Sequence, residues 1–180
     1  LALGGFANTV GTLTLRNGGL LSGTGTLTAA SYALQGGTVG ANLGMGVAEV
    51  SVGNSLLNGL LAALSVNVLS GQLTLGASNV LASRATVTLS GGSVDTQTFA
   101  NQVSVLNLNG GVIMGAGTLT AGTYGLNGGV VAGNLGLGVV NVTGPVSLLG
   151  TIAATQLNIQ TGGVLTLGAS ERIGGVTAVD

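Results

Sequence analysis

Residues 25–46 read GTLTAASYALQGGTVGANLGMG, and residues 117–138 read GTLTAGTYGLNGGVVAGNLGLG, the same stretch shifted by 92 positions without a gap. Tyr32 returns as Tyr124, Gly36-Gly37 as Gly128-Gly129, and Asn42-Leu43-Gly44 as Asn134-Leu135-Gly136. The duplication reaches further out. Phe6-Ala7-Asn8 matches Phe99-Ala100-Asn101, and residues 73–78 (LTLGAS) match residues 165–170. Small insertions and deletions fall between these blocks. The chain therefore reads as two tandem copies of a unit of about 92 residues, approximately 1–92 and 93–180. A long internal period decides the fold before any single residue does.

A finer period lies inside the unit. Apolar residues alternate with Thr, Ser and Asn in short runs: Thr12–Leu15, Ser65–Val68, Ala85–Leu89, Val103–Leu108 and Gln156–Ile159. That alternation marks strands with one buried face. The last apolar residue before each Gly turn forms the series Leu15, Leu34, Val50, Val68, Leu89, Leu108, Leu126, Val142, Ile159, with steps of 16 to 21. Five steps of about 18 make one 92-residue unit. A step that holds about three short strands is one rung of a parallel β-helix, each strand stacked on its equivalent in the next rung. The expectation is an all-β, right-handed parallel β-helix of about ten rungs, one continuous solenoid over 1–180. Hairpins of a barrel or sandwich could use the same Asn-Gly-Gly signals, but they do not account for a fixed rung period nested in a longer one. Leu60–Leu64 is the nearest approach to a helix, and the adjoining Gly59 and SVNV strand argue against it.

Composition narrows the function. Gly supplies 36 of 180 residues, hydrophobic residues 46%, charged residues 4%, and there is no His or Cys. Disordered chains are polar and charged, and collagen needs Gly at every third position; neither describes this sequence. Arg16, Arg84 and Arg172 are the only cations, too few to neutralise a nucleic-acid backbone. No apolar run reaches the about 20 residues of a spanning helix. The sequence opens without Met, a basic leader or an apolar leader core, so it is expected to be part of something longer. Leu1-Ala2-Leu3 and Val176–Val179 both read as strands of a rung, without the polar caps that solenoids use to close their ends. That predicts either continuation into further rungs or end-to-end stacking.

The runs Asn17–Ala29 (NGGLLSGTGTLTA), Tyr32–Gly44 (YALQGGTVGANLG) and Asn109–Ala121 (NGGVIMGAGTLTA) resemble the repeats of large secreted bacterial exoproteins. These are the filamentous-haemagglutinin-like proteins of two-partner secretion and the passenger domains of autotransporters. The resemblance covers essentially the whole chain. It implies a β-helical stalk, secreted or displayed at the bacterial cell surface, whose commonest role is adhesion to host or cell-surface glycans or proteins. A self-assembling extracellular fibre or sheath subunit is the alternative, and a polysaccharide-binding or -cleaving solenoid a third.

Few residues could carry chemistry. The carboxylates are Glu49, Asp95, Glu171 and Asp180. Paired-carboxylate hydrolysis needs two of them about 5–10 Å apart, and the rung register separates Glu49 from Asp95 by roughly 12 Å along the axis. Glu171-Arg172 reads as a solvated corner. No triad is possible without His, the Gly-Gly turns lack the Asp of calcium-binding repeats, and Gly40–Gly46 lacks the Lys of a phosphate loop. Neither catalytic residues nor a cofactor or metal are therefore expected. Asn17, Gln35, Asn109, Asn127 and Gln160 recur at turns and read as stacked structural amides, with a sugar-binding row as the alternative. Thr12-Thr14 and Thr86-Thr88 precede a Gly turn while Thr26-Thr28 follows one, so these pairs do not make one flat face. Tyr32 and Tyr124 are too sparse for an aromatic platform. Leu56-Leu57, Leu60-Leu61 and Leu148-Leu149 break strict alternation, so one member of each pair faces a corner or outward. These six leucines are the candidate assembly contacts.

Overall fold

The computed structural model describes residues 1–175 as a parallel β-solenoid without a helix. Three strand columns run along it, here called the first, second and third faces. On the first face, Leu15, Leu34, Val50, Val68, Leu89, Leu108, Leu126, Val142 and Ile159 stack in register, each paired with the next. The residues anticipated from the glycine punctuation are the residues found. Nine rungs stand in this column, against about ten expected; residues 176–179, read as opening a further rung, lie outside the described residues. Nine rungs spaced by the strand separation span about 40 Å.

The second face follows each Gly turn. Leu21, Val39, Leu57 and Leu75 stack in its first half, and Val94, Ile113, Val131, Leu148 and Leu167 in its second. The third face stacks Leu27, Leu43, Leu61 and Leu81, then Asn101, Leu119, Leu135, Ile152 and Ile173. Alternation does the sorting. In Ser65–Val68 and Thr86–Leu89 every second side chain is buried, because successive Cβ atoms point to opposite faces of a strand. The inward residues form one core from Leu3 to Leu157. No rung could bury it alone.

The rungs are unequal, and the core absorbs the differences. The shortest steps, Leu34 to Val50 and Leu126 to Val142, follow the two tyrosine rungs. There Gly46 and Gly138 lie against the rings: a Cβ on Gly138 would come within 2.7 Å of the Tyr124 ring and 2.1 Å of the Ala121 carbonyl. At the turn between first and second faces Gly111 has φ +79°, and a Cβ there would lie 2.1 Å from the Gly92 carbonyl. Close rung-to-rung approach and left-handed backbone together select glycine.

The longest step, Val68 to Leu89, breaks the third-face ladder. Leu61 pairs with Leu81 and Asn101 with Leu119, but Leu81 and Asn101 are joined by a side chain. The Asn101 Oδ1 accepts from Val80 N–H at 2.9 Å and Leu81 N–H at 3.3 Å, and its Nδ2 donates to the Ala77 carbonyl at 3.1 Å. The carboxamide stands in for a peptide group where the added residues carry the backbone out of register. Asn101→Ala leaves those buried backbone groups unpaired, each costing about 1–3 kcal/mol. The expected outcome is a loss of about 2–4 kcal/mol in urea unfolding; an unchanged midpoint would show that the amide does not carry the joint.

Candidate functional site

The six leucines divide by face. Leu57, Leu61 and Leu148 are buried in the core columns. They are therefore core residues and not contacts for an outside partner. Leu60 and Leu149 are exposed by 41% and 51%, and Leu56 is half-buried. Strict alternation cannot hold two adjacent inward side chains, and the chain resolves each pair by turning one outward. Leu60 joins Leu64, Leu81, Ala82, Arg84 and Gln102 in an open groove of about 480 Å³ beside the third face. The connection through Ala82–Arg84 builds one wall of it.

Among the described residues the carboxylates are dispersed; Asp180 lies outside them. Glu49 points outward from the first face between Ala33 and Asn67. Asp95 lies on the second face two rungs on, where it accepts from Gln97 N–H at 2.8 Å. Glu171 occupies a left-handed corner, φ +56°, beside Arg172. Among the described residues no three of His, Cys, Asp and Glu gather as a metal would require, and no helix is long and apolar enough to cross a membrane. The Thr12-Thr14 and Thr86-Thr88 pairs stand on the first face and Thr26-Thr28 on the third, so they share no surface.

Polar side chains instead tie rung to rung. Among the amides expected at turns, Asn127 accepts from Thr143 Oγ1 at 3.3 Å. Other stacked amides lie on the strands. The Asn158 Nδ2 donates to Asn141 Oδ1 at 2.8 Å, and Gln156 Nε2 donates to Asn158 Oδ1 at 2.9 Å. The Thr74 hydroxyl donates to Asn54 at 2.8 Å and accepts from Gln72 at 3.1 Å. Buried Ser55 takes the Gly36 N–H at 3.1 Å, and Thr96 donates to the Met114 carbonyl at 3.1 Å. Sequence reasoning missed Ser55, Thr74, Thr96 and Asn101 as interior residues; the match of Asn101 to Asn8 was the one signal available.

Tyr32 and Tyr124 are also interior. Each hydroxyl accepts from a backbone N–H three residues before it, Ala29 at 2.9 Å or Ala121 at 2.8 Å. Each hydroxyl proton lies between two carbonyls: those of Leu27 at 3.1 Å and Met45 at 3.4 Å for Tyr32, and those of Gly136 at 2.9 Å and Leu119 at 3.1 Å for Tyr124. The ring thus pins the bend between the third and first faces. No family model matches the chain, and neither curated proteins nor solved structures give a significant match.

Burial raises the Tyr32 phenol, and it pushes Tyr124 up to about 12, against the opposing effect of the backbone hydrogen bonds. The folded state holds this proton more tightly than the unfolded chain, whose phenols ionise near 10. The contribution is therefore fully present below about pH 10 and is lost as pH rises toward 12. Tyr124→Phe is expected to cost about 1–3 kcal/mol at neutral pH, by leaving its backbone partners unpaired. It should also flatten the fall in stability between about pH 10 and 12. Urea unfolding of both proteins across that range checks this, and parallel pH profiles would contradict it.

Proposed function

We propose that the chain is a structural and adhesive segment of a secreted or surface-displayed protein: a rod that sets distance and offers its outward strand rows to a surface. The observation that carries this reading is where the polar chemistry goes. Buried Ser55, Thr74, Thr96 and Asn101 all hydrogen-bond toward neighbouring strands or turns, so they serve stiffness. Glu49 and Asp95 stand on separate faces and rungs. Resemblance of the Asn17–Ala29, Tyr32–Gly44 and Asn109–Ala121 runs to exoprotein repeats supports the same reading.

The adhesive surface is the outward row on the first face. Asn67, Thr88, Asn107, Asn141 and Asn158 point away from the core along it. The Asn141–Asn158–Gln156 cluster is half-buried, and its amides are held in fixed directions by mutual bonds. A preordered row of donors and acceptors suits sugar hydroxyls, because little side-chain freedom remains to be lost on binding. Beads coated with the chain are expected to bind glycan arrays or cells above the background of bare beads. The double variant Asn141→Ala with Asn158→Ala should cut that binding by about tenfold, roughly 1.4 kcal/mol. Binding equal to bare beads would leave the rod without an adhesive role.

A further inference from the structure

The second copy is an internal control for the outward side of the third face in the first. Leu61 stands in its column as Ile152 does, one paired with Leu43 and the other with Leu135. Five residues further on, Val66 and Leu157 hold equivalent places on the first face, paired with Ala48 and Val140. The intervening segments have the same length, so Leu60 corresponds to Thr151 and Leu64 to Thr155. All four face solvent. Thr151 donates its hydroxyl to Asn134 Oδ1 at 2.8 Å, whereas Asn42 Oδ1 accepts from the Leu60 backbone N–H at 3.0 Å and leaves the leucine side chain outside. The same bend is thus built with threonines in one copy and leucines in the other. The fold does not require Leu60 and Leu64, which are exposed by 41% and 50%. Exposed aliphatic surface gains free energy only when something covers it.

The groove of about 480 Å³ beside these leucines is lined by a cation as well. Ala85 N–H donates to the Ala82 carbonyl at 2.9 Å, closing the turn through Ser83 and Arg84. Thr86 N–H donates to the Leu64 carbonyl at 2.9 Å and holds that turn beside Leu64. Asn79, at φ +56°, is fixed by its N–H to the Ala100 carbonyl at 3.0 Å, and Gln102 by strand pairing with Thr120. The backbone of this wall is therefore ordered. Among the described residues the side chains of Arg84, Asn79 and Gln102 make no hydrogen bond or ion pair. Glu49 and Asp95 lie on the first and second faces and do not line the groove.

We propose that this groove binds a small aliphatic carboxylate, with its carboxylate on Arg84 and its hydrocarbon over Leu60 and Leu64. A guanidinium engages both oxygens of a carboxylate at once, and the amides of Asn79 and Gln102 add neutral N–H donors. One cation matches one anionic charge; a doubly charged phosphate would leave a charge uncompensated against leucine. Sugar hydroxyls would lose water against Leu60 and Leu64 without a partner in exchange, and no aromatic ring lines the groove. Its volume lies within the range of small-molecule sites. The site is separate from the amide row on the first face, and neither reading depends on the other.

Octanoate is the probe, titrated into the isotope-labelled 180-residue chain at neutral pH and followed by amide NMR shifts. Acetate carries the charge without the chain, and octanamide the chain without the charge. Octanoate is expected to saturate with a Kd of about 1 mM or tighter and to shift the signals of Leu60, Leu64, Arg84 and Gln102. Acetate and octanamide should bind at least about tenfold more weakly. Arg84→Gln should weaken octanoate by about tenfold and leave octanamide unchanged. The double variant Leu60→Thr with Leu64→Thr gives the first copy the side chains with which the second already folds. It should weaken octanoate by a similar factor at unchanged Tm. Octanoate that fails to saturate by about 10 mM, acetate or octanamide that binds as tightly, or either variant binding octanoate as the unaltered chain does would overturn the proposal.

Discussion

Everything in this protein depends on one backbone requirement: each strand must find its hydrogen-bond partner in the rung above and the rung below. A parallel ladder admits neighbours only at the fixed strand spacing, so every side chain between rungs must fit that gap. The sequence meets this with small residues at the corners and branched aliphatics in the columns. The steps nevertheless vary from 16 residues, Leu34 to Val50, to 21, Val68 to Leu89. The stacked positions on the first face stay in register because the variation is confined to the connections.

Where the ladder fails, side chains replace it. Asn101 presents a carboxamide, chemically a peptide group on a short tether, to two N–H groups and one carbonyl of the rung before it. Tyr32 and Tyr124 do the same at the bend into the first face, each taking one N–H and giving one O–H to the backbone. Ser55 caps the Gly36 N–H at a turn whose φ is +101°. A buried polar group without a partner is costly, and these residues sit where the backbone would otherwise be left without one.

The two copies also explain each other. In the third-face column the series Leu27, Leu43, Leu61, Leu81 is answered by Leu119, Leu135, Ile152, Ile173, and Asn101 marks the boundary between them. Asn8 occupies the corresponding boundary at the start of the first copy.

By itself the sequence determined the repeat, the rung length and the first-face column from Leu15 to Ile159. These follow from two-residue alternation and glycine spacing, which are local properties of the chain. It also determined that the paired leucines could not both point inward. Only the tertiary structure decided which of each pair did, placing Leu57, Leu61 and Leu148 inside and leaving Leu60 and Leu149 out. It alone put Asn101, Ser55 and the tyrosine hydroxyls in the interior. A polar residue is buried here where a backbone group of another rung lacks a ladder partner. That depends on the fit between segments about 20 residues apart, which no local pattern records.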